Sequence, residues 1–164
     1  MKGPVSSYLA KDHDRLDDLL NRAGEDPDHV DPALYAEFRS GLLRHIGMEE
    51  RVLLPEAARH LGVKELPIAN RLRLDHGALV ALLVPPPSRS VIATIHSILR
   101  VHNVLEEQEG GAYQVCEELV GPEGEEILKR LKAVPTVPVV PHIDKPEVLD
   151  ATRRAVARAG YTLL

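Results

Sequence analysis

The stretch DPALYAEFRSGLLRHIGMEERV, residues 31–52, decides how the chain is read. Asp31 followed by Pro32 marks a helix start: an aspartate that can accept the first free backbone N–H groups, then a proline whose missing N–H costs nothing in a first turn. From there Leu34, Phe38, Leu42, His45, Glu49 and Val52 recur at steps of three and four residues, so they line one face of a helix. The first three are ordinary core residues. The histidine and the glutamate continue the same stripe, and at about 1.5 Å of rise per residue they stand roughly 6 Å apart along it. The segment weakens at Pro55 and ends by Gly62.

The pattern recurs on either side. From about Ser6 to Ala23 the stripe is Leu9, His13, Leu16 and Leu20, broken by Gly24 and an acidic stretch. A third helix starts at Pro67 and carries Leu72, His76, Leu79 with Val80, and Leu83, until Pro85-Pro86-Pro87 stops it. Ser88 or Ser90 caps a fourth, with Ile92, Ile95, Leu99, His102, Glu106, Glu109 and Tyr113 on one face. Gly110-Gly111 predicts a weak point inside it and Gly121-Pro122 its end. Four helices of about 18 to 30 residues joined by short loops predict an all-α fold, an up-down-up-down four-helix bundle over residues 1–121.

Residues 122–164 read as a C-terminal helical appendage. A short helix spans Glu123 to Ala133, three prolines among the valines of Val134 to Pro141 predict an extended connector, and an amphipathic helix runs from Pro146 to Ala159 with Gly160 as its stop. The appendage packs either on the bundle or on a partner, a second copy of the chain included.

Composition narrows the function classes. Of 164 residues only 3% are aromatic, with no Trp, which leaves little for a base-stacking surface. Twenty Lys and Arg against 25 Asp and Glu give a formal charge of −5. That balance argues against nucleic acid and against a polybasic membrane surface. The longest apolar run, Ala78 to Val84, is far too short to span a membrane. Met1-Lys2-Gly3-Pro4 runs into helical sequence without an apolar signal core, so a cytoplasmic location is expected. A single cysteine, Cys116, excludes an internal disulfide framework and any Cys-rich metal site. About 21 Å beyond His102 along a continuous helix, it reads as a packed core thiol.

Eight histidines stand out against this background. His13, His45, His76 and His102 fall on the inward stripe, one per helix, and two of them are followed four residues later by Glu49 and Glu106. One histidine on an apolar stripe is ordinarily a hydrogen-bonded core residue, and one His-x-x-x-Glu is ordinarily a solvated pair. Four stripes that converge on one axis change the balance. Buried Glu49 and Glu106 would each cost several kcal/mol without a compensating charge, and imidazoles with carboxylates form a nitrogen and oxygen metal site. His29, His60, His96 and His142 fall off the stripe and are read as surface residues. Glu50 and Glu107 point about 100° away from the ligand carboxylates, toward solvent or a position behind the ligands.

The series His13, His45-x-x-x-Glu49, His76, His102-x-x-x-Glu106 resembles the hemerythrin-like, HHE cation-binding family over roughly residues 5–120. The resemblance implies a non-heme di-iron centre, oxo- or hydroxo-bridged, inside the bundle. His13, His45, His76 and His102 would be terminal ligands, with Glu49 and Glu106 bridging the two iron ions. Ferritin-type sites use Glu-x-x-His pairs instead, which this chain lacks. Oxygen-carrying hemerythrins have a fifth histidine one turn from the third; here the flanking positions are Leu72 and Val80. The four-His, two-Glu set is similar to proteins associated with iron–sulfur cluster repair, although these 164 residues leave no room for the extra N-terminal domain with cysteines that is common there. Four nitrogens, four carboxylate oxygens and a shared bridge supply about ten contacts where two octahedral ions need about twelve. The resemblance therefore implies an open position on each ion and a reaction with O2, NO or peroxide, in redox chemistry or in sensing through the appendage. The alternatives are iron storage or delivery and cluster repair.

Overall fold

The computed structural model describes residues 2–164. Among these the chain is all-helical, with no strand: α1 (Pro4–Ala23), α2 (Pro32–Met48), a π-helical turn (Glu49–Leu53), α3 (Leu54–Leu61), α4 (Ala69–Leu82), α5 (Arg89–Glu107), α6 (Ala112–Val120), a 3-10 turn (Gly121–Glu123), α7 (Gly124–Lys132) and α8 (Pro146–Arg158). No described helix is long and apolar enough to cross a membrane.

Local chemistry sets these ends. The Asp31 carboxylate accepts the N–H groups of Ala33 and Leu34, both at 2.9 Å, and Ser88 rather than Ser90 caps α5 by accepting from Val91 at 3.1 Å. The start of α1 is capped from far along the chain. Glu117, on α6, accepts from the Ser6 N–H at 2.7 Å and from its hydroxyl at 2.8 Å. Pro55 lacks the N–H that would bond the Arg51 carbonyl, and the chain widens into a π turn just before it, with Leu54 N–H reaching Glu49 O.

Two of the expected long helices are therefore interrupted. The second is divided by the π turn, and the fourth ends at Glu107, with Gly110 at φ +74° before α6 begins. Glu109, expected on the buried stripe, is exposed in that break. A continuous-helix separation between His102 and Cys116 no longer applies, although Cys116 is buried in the core as expected.

Apolar side chains form two clusters. One contains Val5, Leu9, Met48, Leu72 and Cys116; the other contains Leu16, Leu20, Phe38, Leu79 and Ile98. On α1 the chain passes from the first, at Leu9, to the second, at Leu16; on α2 it returns, from Leu42 to Met48. α4 repeats the first crossing, from Leu72 to Leu79, and α5 the return, from Ile98 to Leu105. His13, His45, His76 and His102 lie at these four crossings, so one polar layer is sealed between two apolar ones.

Residues after 121 pack on these helices. Ile127 and Leu131 of α7 join the first cluster, and Val156 of α8 the second. The connector is extended, as its prolines predict, and α2 holds it by its carbonyls: Arg44 Nε donates to Val134 O at 2.8 Å, Ser40 Oγ to Val137 O at 2.6 Å and Arg39 Nη1 to Val140 O at 3.0 Å. Thr152 Oγ1 donates to Ala81 O at 3.1 Å, fixing α8 to α4.

Candidate metal centre

α1 contributes His13, α2 His45, the π turn Glu49, α4 His76, and α5 both His102 and Glu106. All six are at most 5% exposed. They form two groups that could each hold a metal ion: His13, His45, Glu49 and Glu106 in one, and His76, His102 and the same two glutamates in the other. Within each group the ligand atoms lie within 4.8 Å of one another. The six residues that sequence spacing singled out are thus brought to one place.

The carboxylates are oriented across the two groups. Glu49 Oε1 faces His45 Nε2 at 3.2 Å while its Oε2 faces His76 Nε2 at 3.1 Å. Glu106 Oε1 faces His102 Nε2 at 3.0 Å and its Oε2 faces His13 Nε2 at 3.3 Å. Neighbouring donors held about 2.1 Å from an octahedral ion stand about 3 Å apart, which is the spacing found here. Glu49 Oε2 and both oxygens of Glu106 are buried and make no hydrogen bond, and the Nε2 atoms of His76 and His102 face each other at 3.2 Å. Unpaired buried oxygens and converging imidazole nitrogens are groups that a shared cation satisfies. The donor set, nitrogen and oxygen without sulfur, fits iron, manganese or zinc.

Each imidazole turns Nε2 inward and gives its Nδ1–H to a carboxylate on the outside. His45 donates to Asp12 at 2.8 Å, His76 to Glu50 at 2.7 Å, His102 to Asp75 at 3.1 Å and His13 to Glu107 at 2.7 Å. These four acids form a closed ring. Asp12 precedes His13 on α1 but holds the histidine of α2; Glu50 follows Glu49 but holds that of α4. Asp75 precedes His76 yet holds the histidine of α5, and Glu107 follows Glu106 and returns to α1. Every helix therefore orients the histidine of the next. A carboxylate at Nδ1 fixes the tautomer and the ring plane and makes Nε2 a better donor to metal.

Charge in the centre follows from these contacts. Burial would push the imidazoles down, but the acids outweigh it. His45 rises to about 9 through Glu49 and Asp12, His76 to about 9 through Glu49 and Glu50, and His102 to about 10 through Glu106 and Asp75. His13 is raised in the same way by Glu106 and Glu107. Burial would raise Glu49, yet His45 and His76 hold it well below the usual carboxylate range. In the metal-free centre His45, His76 and His102 therefore hold a proton more tightly than a free imidazole does, and a metal ion must displace protons to enter.

One side chain reaches the centre that was not singled out as a ligand. Tyr113, in the first turn of α6, is 3% exposed, and its hydroxyl donates to Glu49 Oε1 at 2.5 Å. Burial and the charges of Glu106 and Glu49 keep its proton in place in the metal-free protein. Asp12 and Asp75 were also missed. A signal for the acids was present, because each stands beside a ligand in the pairs Asp12-His13, Glu49-Glu50, Asp75-His76 and Glu106-Glu107. Tyr113 falls on the stripe expected of a continuous fourth helix, but its approach to the centre depends on the break before α6.

A cavity of about 590 Å³ leads to the four imidazoles. Leu16, Leu42, Ile46 and Leu79 form its apolar wall, while exposed Asp17 and Arg100 lie toward solvent. His96 lines it too, half-buried, which corrects its reading as a surface residue: the cavity runs along α5, where Ala93, Ser97 and Arg100 line it beside His96. His60 and His142 are also half-buried, the first bonded to Glu56 O at 2.8 Å and the second stacked on Tyr35 with ring centroids 6.0 Å apart. His29 is exposed as expected. Compared with models of known protein families, with curated proteins and with solved structures, the chain finds no match.

Proposed function

We propose that this chain is a hemerythrin-like, non-heme di-iron protein that binds or reacts with O2, NO or peroxide. In this reading α1, α2 with its π turn and α3, α4, and α5 with α6 form the four-helix bundle of that family, and residues 122–164 are its appendage. The observation that carries it is the orientation of Glu49 and Glu106, each of which presents one oxygen to either histidine pair. A carboxylate so placed serves two ions at once, whereas a single-ion site has no use for the second oxygen.

His13 and His45 would hold one ion, His76 and His102 the other, with both glutamates between them. Bound there, two iron ions supply one-electron chemistry and positions for a diatomic ligand. The protein's part is to prepare and enclose them. Asp12, Glu50, Asp75 and Glu107 take the Nδ1 protons, so each Nε2 lone pair is aimed at the centre. The apolar clusters on both sides keep bulk water from the carboxylates. The cavity beside Leu16, Leu42 and Leu79 admits a small molecule from one side.

Metal analysis together with optical spectra before and after anaerobic reduction tests the reading. About two irons per chain with oxo-to-iron charge-transfer absorption, both lost in His45→Ala, is the expected result. Zinc alone, or one metal per chain, defeats it.

A sensing role is favoured by a separate observation. Arg44, the neighbour of His45 on α2, donates to Val134 O at 2.8 Å and to Lys132 O at 3.1 Å. A change of metal state that moves α2 would be felt directly by the connector. Hydrogen exchange of residues 132–142 in metal-loaded and metal-free protein distinguishes this role, since a pure redox protein shows no difference there.

A further inference from the structure

The two metal positions are not equivalent in what the protein offers them. Tyr113 Oη stands 3.0 Å from His13 Nε2 and 3.2 Å from His45 Nε2, and 2.5 Å from Glu49 Oε1. The two separations from the imidazoles match the ones that the ligand atoms of this group keep among themselves, 3.2 Å for His45 with Glu49 and 3.3 Å for His13 with Glu106, and the shorter one to Glu49 is a hydrogen bond. The hydroxyl therefore sits among the donors as one of them. It has no such relation to His76 or His102, whose nearest polar atoms are each other, their outer acids and the two glutamates.

Three features of the chain put it there. α5 ends at Glu107, Gln108 turns to extended backbone, and the turn at Gly110, whose φ of +74° suits glycine, redirects the chain, so that α6 brings its first turn back over the centre. Glu117, one turn farther along α6, is tied to the start of α1 by Ser6, which fixes the helix that carries Tyr113 against the helix that carries His13. The ring of Tyr113 then lies against that of His13, with centroids 5.5 Å apart and planes 24° from parallel. Tyr113 does not line the entry cavity.

We infer that Tyr113 is a ligand of the metal held by His13 and His45, a fifth protein donor there, while the ion at His76 and His102 has four. This rests on the di-iron reading above and adds to it a direction: the position left for an exogenous ligand lies on the His76 and His102 side. Ligation breaks the phenol O–H bond and forms an oxygen–metal bond; one proton passes to solvent and no electron moves. The oxygen anion that results is a hard donor suited to a ferric ion.

The test uses the full chain loaded with iron and oxidised in air. Visible absorption with resonance Raman scattering reads phenolate-to-iron charge transfer and tyrosinate ring modes, and Mössbauer spectra of the iron-57 protein count inequivalent sites. Two irons per chain, ring modes that shift when the protein contains ring-deuterated tyrosine, and two distinct quadrupole doublets are expected. In Tyr113→Phe, with two irons still bound, the modes vanish and the doublets draw together. Two irons without tyrosinate modes in the unaltered chain overturn the assignment to Tyr113 while leaving the di-iron reading in place, as does a Tyr113→Phe spectrum that is unchanged. Failure to bind iron at all overturns the metal reading itself. The isotope shift is read in the unaltered chain, so the outcome does not depend on how the variant folds.

Discussion

Glu107 accepts the Nδ1–H of His13 at 2.7 Å, across the interface between α5 and α1, while its neighbour Glu106 points the other way into the centre. Two adjacent carboxylates thus do different work, because successive residues on a helix diverge by about 100°. The same division holds at Glu49 and Glu50, and the ring it creates closes only when all four helices are packed. Orientation of the four imidazoles is therefore a property of the folded core and needs no ion to set it.

Breaking one link tests that claim. Asp12→Asn keeps the shape of the side chain and its bond to His45 but removes the charge that raises the basicity of that imidazole. Loss of an outer carboxylate of this kind costs about 10- to 100-fold in metal affinity. The expected outcome is a drop of that size in competition with a chelator, with helix content unchanged. An unchanged affinity would show that the Asp12 carboxylate does no more than fill space.

Stability of the metal-free protein should fall as pH rises. His45 and His76 titrate at about 9 and His102 at about 10, above the ordinary value near 6.5. A raised pKa means that the folded state binds the proton more tightly than the unfolded one. The resulting stabilisation is complete below about pH 6.5 and disappears as pH climbs through 9 to 10. Metal binding runs the opposite way, since the imidazoles must be neutral to act as ligands, so added metal should stabilise more at pH 9 than at pH 6.5. Urea midpoints for both forms across that range check the crossing trends.

Removing Glu49 leaves the imidazolium groups of His45 and His76 without the carboxylate between them. Breaking a buried ion pair by deleting one partner costs about 3–5 kcal/mol. Glu49→Ala is expected to lose that much stability in the metal-free form near neutral pH, and less above pH 10, where the imidazoles are neutral. On the proposed di-iron reading it should also fail to hold two ions. Chemical denaturation at both pH values and metal analysis give the two readings.

How far the sequence could be read depended on whether a residue's role is local to its helix. His13, His45, Glu49, His76, His102 and Glu106 were legible because a period of 3.6 places them on stripes already marked by leucines. Asp12 and Asp75 act on the helix next to their own, a relation that periodicity along one segment does not contain. The π turn at Glu49–Leu53 keeps the apolar stripe nearly unbroken, so only Pro55 hinted at it. Tyr113 falls on the stripe of the predicted fourth helix only if that helix is unbroken. A continuous helix would carry it away from His102, and it is the break at residues 108–111 that returns it. The packing of α7 and α8 was the least legible part, because an amphipathic face does not say what covers it.

Glu117 joins these threads in a last prediction. Its carboxylate accepts from Ser6 N–H at 2.7 Å and from the Ser6 hydroxyl at 2.8 Å, and Val5 N–H lies 3.4 Å away, so it caps α1 from α6. Helix caps are worth about 1 kcal/mol, up to about 2 where the geometry is well held. Glu117→Ala should therefore lower the stability of the whole chain by about 1–2 kcal/mol, through α1. It should also loosen α6, and with it Tyr113, four residues earlier on that helix. Equilibrium unfolding measures the first effect. If Tyr113 ligates iron as inferred above, the second is read in the iron-loaded protein as broader and weaker tyrosinate modes, with iron content unchanged. A cap that served α1 alone would leave those modes as they are.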